Sequence, residues 1–188
     1  MGRPKQLLDV NGAPMLQLVV EQACASSLDD VVVVLGADAA PIRNAVRFGR
    51  ARVVVNDRHA DGMSTSLRAG LDSLGGAVDD AVVLLADRPD VDASLIDSLL
   101  GLHARSRLPA AATSVGGVLQ PPVVLSRRLW PAVTQLRGDA GLRDVLRSRP
   151  ADVATLPVAP AVDVDTPDDY ARLLARLRAK PATSDGGR

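Results

Sequence analysis

The stretch "DDVVVVLG", residues 29–36, is a short β-branched apolar run that ends at a glycine, a pattern typical of a buried strand. The segments "ARVVVND" (51–57) and "DDAVVLLAD" (79–87) repeat this pattern further along the chain. Segments with one apolar helical face, such as 15–23 and 67–74, alternate with these runs. Apolar strands that alternate with helices are typical of a parallel sheet covered on both faces, so the sequence predicts an α/β fold.

The alternation continues more weakly towards the C-terminus. Strands are predicted at 109–115, 121–126 and 152–158, and helices at 94–103 and about 167–179, the last with Thr166 as its N-cap. The folded domain is therefore expected to span residues 1–179. The polar residues 180–188 are expected to form a disordered tail.

The composition argues against several classes of partner. The formal net charge is zero and aromatic residues make up 2% of the chain, so neither a basic patch nor stacking rings for nucleic acid are expected. No apolar run approaches the roughly 20 residues of a membrane span. The single Cys24 fits a reducing compartment, so we expect a cytoplasmic protein. His59 and His103 lack partners at metal-ligand spacing and are expected on the surface.

Carboxylates stand where ligands bind in α/β proteins, at the carboxyl ends of strands. Asp87 ends the strand 79–87, and Asp163 and Asp165 come just before the last helix. Mg²⁺ prefers one or two carboxylates together with phosphate oxygens and water, so these residues predict a magnesium site. The alternative is that each carboxylate caps a turn or a helix start.

Three further segments could bind anions. Gly62, Ser64 and Ser66 in "HADGMSTSLRAGL" (59–71) place hydroxyls and free backbone N–H groups at a helix start, which predicts an anion site or a plain N-cap. "LRGDAGLRDVLR" (136–147) could contact an anionic substrate or be a solvated helix start. In "GRPKQLL", Lys5 assisted by Arg3 could neutralise a triphosphate, unless this is an ordinary basic terminus.

Taken in order, five segments resemble the MobA-like nucleotidyltransferases: "MGRPKQLLDVNGAPML", "DGMSTSLRAGL", "LLADRPDV", "LRGDAGLRDVLR" and "VDVDTPDDYARLL". The branch that they resemble is that of molybdenum cofactor cytidylyltransferase, which includes proteins labelled nicotine blue oxidoreductase. The resemblance covers about residues 1–178. It implies a Rossmann-like three-layer α/β/α nucleotidyltransferase fold with a mostly parallel sheet.

The resemblance also assigns roles to single residues. It implies that Lys5 contacts nucleotide phosphates, that Asp87 is catalytic and holds the metal, and that Asp163 or Asp165 is the second metal-side position. The other expected nucleotide contacts are Gly2, Arg3, Gly62, Ser64 and Ser66, and the expected acceptor-side residues are Arg137, Asp139 and Arg143. The family's Gly-His-Pro segment appears here without its histidine, as "LQPP" (119–122).

The implied reaction is transfer of CMP from CTP to a molybdopterin-type phosphate acceptor, with release of pyrophosphate. The attacking phosphate is already anionic, so positioning and charge neutralisation by Mg²⁺, Lys5 and arginines carry catalysis without a general base. Two alternatives remain. One is an NAD(P)H-dependent oxidoreductase of the nicotine-blue type, and the other is a catalytically inactive homologue that binds a molybdoenzyme maturation partner.

The family's opening strand and loop, L-A-A-G-x-S-x-R-M-G-x-x-K, align only in part with this sequence. Met1, Gly2 and Lys5 match the end of that loop, and the preceding strand has no counterpart. Because this strand is central in the family's sheet, its neighbours would each lack hydrogen-bond partners without it. We therefore expect that the native protein starts further upstream.

Overall fold

The six strands predicted from the sequence all form in the computed structural model, which describes residues 4–160 and 167–179. The strands are β1 (Asp9–Val10), β2 (Ala13–Pro14), β3 (Val32–Leu35), β4 (Arg52–Val55), β5 (Asp80–Val83), β6 (Ala110–Val115), β7 (Val118–Ser126) and β8 (Val153–Pro157). The helices are α1 (Met15–Ala25), α2 (Ala39–Ala45), α3 (Met63–Ser73), α4 (Ala93–Ser106), α5 (Trp130–Thr134), α6 (Leu142–Arg147) and α7 (Pro167–Ala179). Thr166 and the tail 180–188 lie outside the described residues.

Parallel and antiparallel pairs are combined in the sheets. β1 and β2 form an antiparallel hairpin, β3 and β4 pair in parallel, and the remaining strands form a sheet of order β5-β7-β6-β8. In that sheet β6 and β8 are parallel, whereas β7 runs antiparallel to β5 and β6. The α/β fold is confirmed, and β7 reverses because the positive-φ glycines Gly116 and Gly117 join it to β6 as a hairpin.

Helices cover both faces of the four-stranded sheet. Because side chains alternate along a strand, neighbouring residues of β6 and β7 face opposite helix layers. Ala111 and Val124 pack against Leu99 of α4 on one face. Ala110 and Val123 belong to the cluster on the other face, to which α3, α5 and α6 contribute side chains. The predicted three-layer arrangement is therefore present.

Helix α3 packs against both the β3–β4 sheet and the four-stranded sheet. Among the described strands, β3 and β5 each have a partner along one edge only. Leu71 of α3 packs in the cluster that contains Ala81 of β5, and Gly70 lies so close to β3 that a Cβ there would be 3.3 Å from Val34 Cγ2. Helix α3 therefore packs against β3 and β5, and its first turn lies at the carboxyl end of β4.

Helix α7 returns to the start of the chain. Its Leu173 is fully buried against Val10 and Met15, and the Tyr170 hydroxyl donates a hydrogen bond to the Asp9 carbonyl. None of the helices within the described ranges combines the length and hydrophobicity that crossing a bilayer requires.

An ion pair joins the starts of β3 and β4 and predicts a pH effect on stability. Arg52 Nη2 donates to Asp30 Oδ2 at 2.5 Å, and this hydrogen bond is the main cause that lowers the pKa of the Asp30 carboxyl. A lowered folded-state pKa means that the stabilisation is present above the unfolded pKa and is lost as pH falls through the folded one.

We expect Asp30→Asn to lower the thermal unfolding midpoint slightly at neutral pH, because exposed pairs contribute little. The difference from wild type should disappear in acid, below the folded pKa of Asp30. Asp29→Asn, which removes the neighbouring carboxylate, is the matched control. An Asp30→Asn effect that grows in acid would contradict the assignment.

Candidate functional site

The buried Asn56 organises the carboxyl end of β4. It is 5% exposed, and its Nδ2 donates to Thr65 Oγ1 at 2.8 Å and to Ser66 Oγ at 3.0 Å. Its Oδ1 accepts a hydrogen bond from the Arg58 backbone N–H at 3.0 Å. One amide therefore ties the strand end to the first turn of α3 and fixes where the Ser66 hydroxyl lies.

The N-terminus of α3 contacts a turn that is distant in sequence and contains Gly138. Gly62 precedes the helix with φ of +102°, and a Cβ there would lie 2.3 Å from the carbonyl carbon of Gly138. The Ser64 N–H donates to the Gly138 carbonyl at 3.0 Å, and the Thr65 N–H donates to the Gly62 carbonyl at 3.2 Å. The N–H groups of Ser64 and Thr65, which the sequence predicts to be free for an anion, thus have protein acceptors.

Ser64 and Ser66 lie on different sides of α3, since helix residues two positions apart do not share a face. Ser66 contacts Asn56, whereas Ser64, at 1% exposure, lines a cavity of about 500 Å³ between α3 and the 136–138 turn. The wall of this cavity is formed by Arg58, Asp61, Ser64, Thr65, Arg68, Leu136, Arg137 and Gly138. The segments 59–71 and 136–147, which the sequence offers as two separate candidates for anion binding, therefore line the same cavity.

The predicted acceptor-side residues separate into two groups. Arg137 lines the cavity, and its Nη1 donates to the carbonyl oxygens of Leu136 at 2.9 Å and Thr134 at 3.2 Å. Asp139 and Arg143 are exposed and do not contribute to the cavity wall. The structure therefore places only the first of the three beside Ser64.

Asp87 lies in the turn after β5. It is partly buried, and its carboxylate makes no hydrogen bond or ion pair with any residue in the described ranges. The preceding Ala86 packs against an apolar cluster, and Leu7 of the 3₁₀ turn Lys5–Leu7 packs against the same cluster. The roles of Lys5 and Asp87 as a catalytic pair stay predictions.

A metal ion at Asp87 would have few protein ligands. Within 4–160 and 167–179, no group of three or more His, Cys, Asp or Glu side chains could hold an ion. The Asp87 carboxylate, which has no partner in the part of the chain that the structure describes, still suits Mg²⁺, because this ion takes its other ligands from phosphate oxygens and water. Gly2, Arg3, Asp163 and Asp165 lie outside the described residues, and their roles stay predictions.

The residue after Asp87 anchors the turn. Arg88 is 4% exposed, and its Nε and Nη2 donate to the two carboxylate oxygens of Asp90 at 2.9 and 3.3 Å.

We expect Asp90→Asn to lower the free energy of unfolding by about 3 kcal/mol, because the buried guanidinium loses its countercharge. Urea unfolding measures this. Asp72→Asn, at an exposed position of α3, should leave stability almost unchanged, and equal losses in the two variants would contradict the argument.

A Ser–His–Asp group has the composition of a hydrolytic triad but not its geometry. His103 is buried, so its expected surface location was wrong; the reason is that α4 packs this face on the sheet. Its Nε2 lies 3.1 Å from Asp80 Oδ1 and 3.3 Å from Ser126 Oγ, whereas Nδ1 is buried with no partner among the described residues. A triad needs serine and carboxylate on opposite ring nitrogens, so this group cannot act as one.

The chain is similar to named proteins and to solved structures. It is 33% identical to the nicotine blue oxidoreductase of Paenarthrobacter nicotinovorans over 93% of this chain and 90% of that protein. It is 35% identical to the 2-C-methyl-D-erythritol 4-phosphate cytidylyltransferase of Ralstonia nicotianae over 73% of this chain and 53% of that protein. The crystal structure of Rv0371c from Mycobacterium tuberculosis in complex with manganese has a TM-score of 0.80 and 28% identity, covering 93% of each chain.

The family comparison agrees with the order of strands, helices and motifs described above. The description of the matching family is MobA-like NTP transferase domain, and the match extends over residues 1–153. These residues include β1 to β7, the turn of Asp87 and the cavity beside α3. The chain belongs to the family of MobA-like NTP transferase domains.

Proposed function

We propose that this nucleotidyltransferase moves CMP from CTP to a molybdopterin-type phosphate acceptor and releases pyrophosphate. The observation that carries the proposal is the carboxylate of Asp87, which lies in the turn after β5 and has no partner among the described residues. CTP is favoured over GTP because a relative that covers 73% of the chain is named as a cytidylyltransferase. The acceptor class comes from the motif resemblance alone.

The reaction would proceed by in-line displacement. An acceptor phosphate oxygen forms a bond to the α-phosphorus of CTP, and the bond from that phosphorus to the pyrophosphate oxygen breaks. The nucleophile is an anion at neutral pH, so no general base is needed, and Lys5 acts as a point charge on the triphosphate. When bound, Mg²⁺ neutralises phosphate charge; Asp87 would hold it, with Asp163 or Asp165 as the second position.

The acceptor side of the proposal rests on the 136–147 segment. Arg137 is the residue best supported there, because it lines the cavity beside α3. Asp139 and Arg143 stay on the acceptor side only as exposed residues of the same segment. A protein partner, such as a molybdoenzyme maturation factor, would receive the product.

The test is pyrophosphate release from CTP, GTP and ATP, each with and without a molybdopterin acceptor. We expect release from CTP that requires both the acceptor and Mg²⁺ and stops when EDTA is added. Preference for GTP would overturn the choice of base. Acceptor-independent release would overturn the acceptor class, and no release from any nucleotide would overturn the proposal.

An NAD(P)H-dependent oxidoreductase is the second candidate, favoured by the 33% identical relative that carries this name. Nucleotide binding separates the two functions without an activity assay. We expect CTP with Mg²⁺ to raise the thermal unfolding midpoint and NADH or NADPH to leave it unchanged. The reverse result would favour the oxidoreductase.

A further inference from the structure

We propose that the cavity between α3 and the 136–138 turn is a second anion site, which binds a phosphate-class oxyanion separately from the turn that contains Asp87. Its wall carries three guanidinium groups and one carboxylate. Arg58 Nη2 lies 2.9 Å from Asp61 Oδ2, so these two charges neutralise each other. The charges of Arg68 and Arg137 are left without a carboxylate partner in the wall. An anion fits this surplus, whereas a cation does not.

One donor in the cavity wall is buried without an acceptor in the described part of the chain. This donor is the Nε of Arg68. Ser64 is 1% exposed and lines the same wall, where its hydroxyl can donate to a ligand. Unmet buried donors are costly and uncommon in folded proteins. A ligand with several acceptor oxygens would satisfy the Arg68 Nε and would also accept a hydrogen bond from the Ser64 hydroxyl.

The cationic groups are held in place before a ligand arrives. Arg68 Nη2 donates to the carbonyls of Thr134 and Leu136 at 2.6 and 3.3 Å, and Arg137 Nη1 donates to the same two carbonyls. Fixed guanidinium groups lose little conformational entropy on binding. At about 500 Å³ the cavity is larger than one oxyanion needs, so it can take free phosphate or the phosphate end of a larger molecule.

Of the residues expected to contact the nucleotide or the acceptor, Ser64 and Arg137 line this cavity. Ser66, on the opposite side of α3, contacts Asn56, and neither Lys5 nor Asp87 lines the cavity. The binding of an oxyanion is inferred from the cavity itself, whereas its assignment to the acceptor phosphate rests on the proposed function. It would give the phosphate of an acceptor, or free phosphate, a place of its own.

The test is titration of the ¹⁵N-labelled protein with inorganic phosphate, followed by NMR and calorimetry. We expect saturable shifts of the Ser64 and Gly138 amides, about fivefold weaker binding in Ser64→Ala and about twentyfold weaker binding in Arg68→Gln. Ser64→Ala removes only a hydroxyl, so it keeps the test valid if Arg68→Gln does not fold. Arg105→Gln, an exposed charge change on α4, should bind like wild type.

A second arm repeats the titration with the protein saturated with CTP and Mg²⁺, and with glycerol 3-phosphate in place of phosphate. Unchanged phosphate affinity in the presence of CTP supports a separate site. Tighter binding of the ester than of phosphate identifies an organic phosphate as the source, and the reverse identifies free phosphate. Absence of saturable binding, equal affinity in all variants, or displacement by CTP would each overturn the proposal.

Discussion

Gly62→Ala is expected to lower the free energy of unfolding by about 4 kcal/mol or more, since several costs combine at this position. A φ of +102° is sparsely populated by residues with a Cβ, which costs about 1–3 kcal/mol. The added Cβ would also lie 2.3 Å from the carbonyl carbon of Gly138 and 2.5 Å from its oxygen. The turn must then move away, and the hydrogen bond from the Ser64 N–H to this oxygen breaks.

Gly138→Ala, on the other side of the same contact, is the matched control for Gly62→Ala. Gly138 has φ of +57°, but a Cβ there would meet nothing within 4 Å. Only the left-handed backbone penalty of roughly 1–2 kcal/mol remains. Urea unfolding of both variants measures the difference. Losses of equal size would mean that the close approach of the two segments does not exist in solution.

Gly62→Ala should also affect the anion cavity, because the turn that moves forms one of its walls. Amide shifts of Ser64 in the variant should differ from those of wild type, and saturable phosphate binding should be lost. In Gly138→Ala the cavity should persist. Gly62 therefore contributes both to the stability of the protein and to the shape of the cavity.

The strands were predictable because their signal is local. Residues 29–36, 51–57 and 79–87 are β-branched apolar runs that need both faces covered, and β3, β4 and β5 form within them. The β1–β2 hairpin was missed although it has a known signature. Asn11 and Gly12, with φ of +54° and +91°, form the Asn-Gly turn that favours two-residue hairpins.

The site was less predictable because its contacts join distant parts of the chain. Ser64 meets Gly138, a residue 74 positions later, and no local pattern announces that contact. Asn56 lies near the end of the predicted strand 51–57, but its hydrogen bonds to Thr65 and Ser66 depend on how α3 packs. Sequence patterns therefore identified the segments, and the packing of α3 decided which of their side chains share a cavity.

Asp87→Asn is expected to reduce nucleotidyl transfer by at least about a hundredfold, because the variant removes a metal-binding charge where phosphate charge must be neutralised. Asparagine has nearly the same size and keeps one oxygen, and the Asp87 carboxylate has no partner within the described chain. Stability should therefore not change, which separates this variant from Asp90→Asn. Asp57→Asn, an exposed carboxylate after β4, is the matched control.

Metal binding gives a readout for Asp87→Asn that does not depend on the acceptor. We expect electron paramagnetic resonance to show Mn²⁺ bound to the wild-type protein with CTP, and about tenfold weaker Mn²⁺ binding in Asp87→Asn, since a neutral amide is a poorer ligand than a carboxylate for a hard cation. Asp57→Asn should bind Mn²⁺ as wild type does. If Asp87→Asn keeps full Mn²⁺ affinity while losing activity, the carboxylate orients substrate and does not hold the metal. If Asp87→Asn keeps both full Mn²⁺ affinity and full activity, Asp87 is a structural turn residue and the catalytic site lies elsewhere.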